Sequence, residues 1–237
     1  MAKIRAILFD KDGTLLDFNA TWLNFVREIA FHAAGGAGER ASELLEAAGF
    51  DHVSETFRSG SAVAAGTSAD IIAIMYPMAP PEEQRLLTEQ ADRKAALVGR
   101  DSAVPLPGVV EALGRLYAGG FRLGVATNDA TSGAEATLLA LGMAHMFDAA
   151  YGYDAVANPK PAPDVIHAFA DTVGISAGEL AMVGDNTHDL EAARAAGAGL
   201  SVGVLSGNGT RADLEPLADI IIGSVAELPE HLAPGDQ

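Results

Sequence analysis

Cysteine is absent from the 237 residues, which excludes disulfides, thiolate metal sites and a cysteine nucleophile. Basic residues are scarce: 15 Lys and Arg stand against 32 Asp and Glu, a formal net charge of −17. No run of Lys or Arg forms the basic stripe that nucleic acid binding requires, and an anionic membrane surface is disfavoured for the same reason. No stretch approaches the roughly 18 apolar residues of a membrane span. The opening MAKIRAILFD holds an apolar run too short for a signal peptide, and the run ends in acid. A cytoplasmic protein is therefore expected, with neither nucleic acid nor membrane as partner. A small anionic substrate stays open, provided a cation or a donor cluster receives it. Aromatics are few, yet 49% of the chain is hydrophobic, enough for one large core or a core plus a smaller module. Only the tail Pro234–Gln237 reads as disordered.

Residues Ile4 to Phe9 are almost continuously apolar and predict a strand buried on both faces of a parallel sheet. Phe121 to Ala126, Ala181 to Val183, Leu200 to Leu205 and Ile220 to Ile222 read the same way. Between them lie helical spacings: Val109, Leu113 and Leu116; then Val165, Ile166, Phe169 and Val173; then Leu190, Ala193 and Ala196. Glycines at 119–120, 142, 174 and 197 stand where those helices should end. Strand alternating with helix at this pace predicts an α/β fold, a Rossmann-like parallel sheet with helices on both faces. From about Asn19 to Arg100 the rhythm breaks. Four amphipathic patterns follow one another there, and no strand is evident. We expect an α-helical cap over 18–103, inserted into a core made of 1–17 and 104–237.

In open α/β sheets ligands bind beyond the carboxyl ends of the strands. Asp10 and Asp12 follow the first strand, Thr127-Asn128-Asp129 the second, and Gly184-Asp185-Asn186 the third, with Asp189 four positions past Asp185. Lys160, between two prolines, precedes the Val165 helix. Several carboxylates meeting at one point repel each other unless a cation is present. The donors are all oxygen, which suits Mg²⁺. Lys160 supplies a held cation, Thr127 a hydroxyl, and Gly13 close approach of backbone amides to a ligand. Together these make a phosphoryl-transfer site.

The four elements resemble, in order, the motifs of the haloacid dehalogenase superfamily of phosphatases. Asp10-Lys11-Asp12-Gly13-Thr14-Leu15 is similar to its DxDGT motif, Thr127-Asn128 to its Thr/Ser motif, Lys160 to its lysine motif, and Gly184-Asp185 with Asp189 to its GDxxxD motif. "KPAPD" at 160–164 resembles the phosphoglycolate phosphatase-like branch. The resemblance implies a Mg²⁺-dependent phosphatase acting on small phosphorylated metabolites, with phosphoglycolate as the leading candidate. It makes Asp10 the nucleophile and Asp12 the acid, then base. Thr127 and Lys160 would bind and neutralise the phosphoryl group, with Gly13 and Asn128 beside them. Asp10, the Asp12 carbonyl and Asp185 would hold the metal, with Asp189 as a ligand or just behind. One departure stands out: the branch often continues with Asp-Ser, whereas this chain has Asp17-Phe18, a bulky ring beside the site.

Each element alone has a plainer reading as a turn, a helix cap or a solvated loop lysine. Their order and their places at strand ends decide for the site. Dehalogenases proper and phosphonatases are excluded by Asp12. A phosphomutase of the β-phosphoglucomutase type shares every residue and stays open, as does a phosphate-binding regulatory protein without turnover. His188 is expected to be exposed on a first helical turn. Arg58 and Lys94 are candidates to reach a substrate carboxylate from the cap. Lys11 is expected to point away from both aspartates, by strand alternation. A monomer or a homodimer is equally compatible with the sequence.

Overall fold

The computed structural model describes residues 3–232. The tail expected to be disordered lies outside the described residues. Six parallel strands form the sheet: β1 (Ala6–Phe9), β4 (Arg122–Ala126), β5 (Ala149–Tyr151), β6 (Leu180–Gly184), β7 (Leu200–Val204) and β8 (Ile220–Ile222), in the order β5-β4-β1-β6-β7-β8. β1 is central, with Ile7 opposite Leu123 on one side and Ala181 on the other. Connections run outward from it in both directions, so the crevice where ligands bind opens at its carboxyl end.

The continuous apolar reading of β1 follows from its two buried faces. Ile7 and Phe9 enter one core with Leu113 and Leu116 of α6 (Val109–Ala118) and Leu138 of α7 (Thr131–Ala140). Ala6 and Leu8 enter the other with Ile166 and Phe169 of α8 (Asp164–Val173) and Ala193 of α9 (Thr187–Ala196). Gly174 and Gly197 end α8 and α9 in left-handed conformations, as their positions predict. A short α10 (Arg211–Leu214) precedes β8. The edge strand β5 was not legible as a strand. Its three residues are only half-buried, and Ala-Ala-Tyr carries no apolar run.

The chain leaves the sheet after Asp17 and returns at Val104, where the Asp17 amide donates to the Val104 carbonyl at 2.8 Å. Between these points lie α1 (Phe18–Ala33), α2 (Gly38–Ala47), α3 (Ala62–Ala65), α4 (Ser68–Met75) and α5 (Pro81–Ser102). These helices gather around a separate apolar cluster that includes Trp22, Phe25, Leu45, Phe50, Phe57 and Met75. The sequence suggests a purely helical segment, and the structure corrects this. β2 (Phe50–Asp51) and β3 (Thr56–Phe57) form an antiparallel ribbon with Phe50 opposite Phe57. Two residues per strand are too few to show alternation. The helical layer leans on the sheet layer through α5 against α7, and the Tyr153 hydroxyl donates to Asp92 at 2.6 Å. No helix among the described residues is long and apolar enough to cross a membrane.

Candidate active site

Asp10 continues β1 by one residue, its amide donating to the Val183 carbonyl of β6 at 2.8 Å. Its carboxylate therefore stands at the mouth of the crevice. The Lys160 ammonium donates to Asp10 Oδ1 at 2.6 Å, to Asp189 Oδ1 at 2.6 Å and to the Ala126 carbonyl at 2.8 Å. All three of its protons are engaged. Asp185, on the turn after β6, accepts from Thr14 Oγ1 at 3.2 Å and from the Asn208 amide at 2.9 Å. Asp189 sits in the first turn of α9 and accepts the Asn186 amide at 3.0 Å. This capping box fixes Asp189 while Asn186 starts the helix.

Oxygens of Asp10, Asp185 and Asp189 all lie within 4.8 Å of one another, and all three residues are buried. Burial pushes the Asp10 carboxyl up to about 7; Lys160 opposes the rise, and Asp189 and Asp12 add to it. Asp185 is raised well above the ordinary carboxylate range, first by burial and then by Asp10 and Asp189. One ammonium among three buried carboxylates leaves an excess of negative charge. An all-oxygen donor set with that excess fits a hard divalent cation such as Mg²⁺. The Asp12 carboxylate is not part of this trio.

Glycines let the backbone close around Asp185. Gly13 has φ +85°, and a Cβ there would lie 2.7 Å from Asp185 Oδ2. Gly13→Ala is expected to cost ~2 kcal/mol from strain and crowding, read as a melting point several degrees lower. Mg²⁺ affinity should fall with it; calorimetry and a metal titration check both.

Asp12 turns the other way. Trp22 Nε1, from α1, donates to its Oδ1 at 2.5 Å, and the Lys11 ammonium lies 2.6 Å from its Oδ2. Lys11 is wholly buried and also pairs with Asp129 at 3.2 Å, its ammonium 4.8 Å from the centroid of the Trp22 ring. The expectation that Lys11 points away is thus overturned. Strand alternation ends at Phe9, and the chain bends over Lys11, so the period of two no longer applies. Burial works against the Lys11 charge, but Asp12 and Asp129 outweigh it and raise the ammonium above its ordinary range.

Thr127 is buried at the end of β4, its hydroxyl accepting the Asp129 amide at 3.1 Å. Asn128 reaches outward as well as inward: its amide nitrogen donates to the carbonyls of Ala65, in α3, and Lys160, at 2.8 and 3.0 Å. His188 is half-buried rather than exposed, with Nδ1 3.2 Å from that same Ala65 carbonyl. Asn128 and His188 therefore pin the helical layer over the site. Between the layers lies a cavity of about 90 Å³, reached by Asp10, Asp12, Thr127, Asn128, Lys160 and Asp189.

Arg58 and Lys94 do not line that cavity. Arg58 donates to the Glu46 carbonyl at 2.8 Å, and Lys94 pairs with Glu28. Three contributors were missed from sequence. Trp22 reads as packing, yet its N–H meets Asp12. Ser206 and Asn208 lie past the last motif, where Ser206 Oγ donates to the Gly13 carbonyl at 2.7 Å. The only signal was Ser-Gly-Asn-Gly after an apolar run, the same kind of strand end that marked the other elements.

Residues 4–197 match the haloacid dehalogenase-like hydrolase family. A phosphoglycolate phosphatase from Escherichia coli K12 is 34% identical over 233 residues, covering 95% of this chain and 91% of that one. One from Salmonella typhimurium LT2 is 32% identical, over 83% and 80% of the two chains. Among solved structures, CbbY from Rhodobacter sphaeroides, in complex with phosphate, superposes with a TM-score of 0.71 at 23% identity, covering 95% and 96%. A HAD-superfamily hydrolase from Geobacter sulfurreducens gives 0.64 at 22%, covering 97% of each chain.

Proposed function

The chain belongs to the haloacid dehalogenase-like hydrolases and is a phosphoric monoester hydrolase, and from that premise we propose that it is a Mg²⁺-dependent phosphatase working through an aspartyl-phosphate on Asp10. The observation that carries this reading is the single ammonium of Lys160 bridging Asp10 and Asp189 beside a third buried carboxylate.

In the first step an Asp10 oxygen attacks phosphorus and the bond to the leaving oxygen breaks. Asp12 delivers its proton to that oxygen. In the second step Asp12 takes a proton from water, the water oxygen attacks phosphorus, and Asp10 is released with inorganic phosphate. Lys160 keeps Asp10 oriented and offsets the charge of the transferring group. Thr127 binds a phosphoryl oxygen, with Gly13 and Asn128 shaping the cradle. Asp10, the Asp12 carbonyl, Asp185 and Asp189 would hold Mg²⁺, which neutralises the phosphoryl charge when bound. Residues 18–103 act as a cap over a core of 1–17 and 104–237 and exclude bulk water. The relatives carry the name phosphoglycolate phosphatase, which makes phosphoglycolate a reference ester for any assay.

Chelation is expected to silence phosphate release from small phosphate monoesters, and Mg²⁺ to restore it. Activity indifferent to EDTA would refute the metal-dependent reading. A second readout follows from the raised carboxyl of Asp10. With 3.8 as the ordinary value and about 7 in the fold, the metal-free folded state binds more protons than the unfolded state between those limits. Metal-free stability should therefore fall as pH rises through that window. Mg²⁺ competes with those protons, so its melting-point shift should be larger at pH 8 than at pH 5. At a hundredfold excess over Kd it adds about 2.7 kcal/mol.

A further inference from the structure

The cavity has two unlike walls. The sheet side carries Asp10, Asp12, Asp129 and Asp189 with Lys160. The helical side is formed chiefly by Phe18, Trp22, Phe25, Val26, Val63 and Ile71; its polar side-chain groups are the Ser68 hydroxyl and the Trp22 N–H, which is given to Asp12. Among the described residues no arginine lines the cavity, and Lys160 is its only lysine. That ammonium is already shared by Asp10, Asp189 and the Ala126 carbonyl. Three cations of the helical layer are engaged elsewhere: Arg27 with Glu55, Lys94 with Glu28, Arg58 with the Glu46 carbonyl. His188 turns Nδ1 to the Ala65 carbonyl, and the Asn128 amide meets the Ala65 and Lys160 carbonyls.

From this asymmetry we infer that the alcohol part of the substrate is uncharged and apolar, a small branched-alkyl or arylmethyl group, rather than one bearing a carboxylate. The inference rests on the phosphatase reading and concerns the part of the ester that leaves. The phosphoryl group is drawn to the sheet wall by Lys160 and a divalent cation. A second anion on the same molecule would meet Asp12 and Asp129, whose one cation, the buried Lys11 ammonium, is already shared between them, and it would desolvate with no free cation to receive it. An apolar group instead buries its surface against Phe18, Phe25, Val26 and Val63. Phe18, the first residue of α1, is part of that wall.

The test compares four esters of unactivated alcohols with Mg²⁺ present: benzyl phosphate, 3-methylbutyl phosphate, 2-hydroxyethyl phosphate and phosphoglycolate. The last two differ by a neutral hydroxymethyl against a carboxylate, which isolates charge. We expect kcat/KM for 2-hydroxyethyl phosphate to exceed that for phosphoglycolate about tenfold, and the better apolar ester to exceed both by a further tenfold. Phosphoglycolate equal to or better than 2-hydroxyethyl phosphate would overturn the inference while leaving the phosphatase reading intact. So would apolar esters no better than 2-hydroxyethyl phosphate. Release from none of the four, nor from a wider panel of phosphate monoesters, would overturn the phosphatase reading and this inference with it.

Discussion

Asp10→Asn is expected to reduce phosphate release by at least about a thousandfold, the scale on which loss of a covalent nucleophile acts. The amide keeps the shape of the carboxylate but offers no anionic oxygen to phosphorus. Lys160 retains Asp189 and the Ala126 carbonyl as partners, so the loop that brings it stays in place. The fold should survive with one cooperative unfolding transition. The substitution also removes a buried carboxyl whose proton affinity is pushed up to about 7 by burial. The fall in metal-free stability between pH 4 and 7 should accordingly become shallower in the variant. Stopped assays for inorganic phosphate and melting curves across that range check both effects. Activity within tenfold of the parent would remove Asp10 from the nucleophile's role. An unchanged pH slope would mean that its raised proton affinity is not felt in folding.

The sheet and the converging strand ends were legible because their causes are local. A strand buried on both faces reads as a near-continuous apolar run, as β1 and β6 do; β4 and β7 do so apart from the exposed Arg122 and the buried Ser201. Parallel strands place their carboxyl ends together, so polar residues following each run meet without any further information. This is how Asp10, Thr127 and Asp185 assemble across more than a hundred residues of chain. Lys160 was found by its motif alone, since a lysine between prolines has no periodicity to betray where it goes. The β2–β3 ribbon was illegible because each strand has two residues, and the edge strand β5 because its half-buried Ala-Ala-Tyr lacks the apolar run that marks the equally short β8.

What sequence hid was the far wall of the site. Trp22 and Phe25 have the spacing of a buried helical face, and both are buried among apolar neighbours. Nothing in that spacing says that the same face also closes on a cavity, or that the indole N–H meets Asp12. The Ala65 carbonyl is equally silent, being a backbone group whose partners, Asn128 and His188, come from two other elements. Such contacts between the helical layer and the sheet depend on how the two layers are placed, which no local pattern encodes. The side chains of the cavity's helical wall arrive through that placement, while those of its sheet wall arrive on the strand ends.

Lys11→Met is the second large effect. Methionine nearly matches the length of lysine and fills the same buried channel beneath Trp22, but it leaves Asp12 and Asp129 facing each other without their shared cation. Removing one partner of a buried ion pair costs ~3–5 kcal/mol. The sign with pH is fixed by Asp129, whose carboxyl is already raised, by burial first, with Lys11 opposing the rise. Without Lys11 it rises further, and at pH 5 it can take a proton and shed the uncompensated charge. The loss of stability should therefore be smaller at pH 5 than at pH 8. Lys11→Met/Asp129→Asn should recover much of the stability at pH 8. It should not recover turnover, because Asp12 Oδ2 would still lack the ammonium 2.6 Å away that holds it opposite the Trp22 N–H. A fall in kcat with KM little changed in both variants would mark Lys11 as a positioning residue for Asp12 rather than a substrate ligand. If Lys11→Met instead melts within a degree of the parent and turns over normally, the buried triad is a packing device with no part in catalysis.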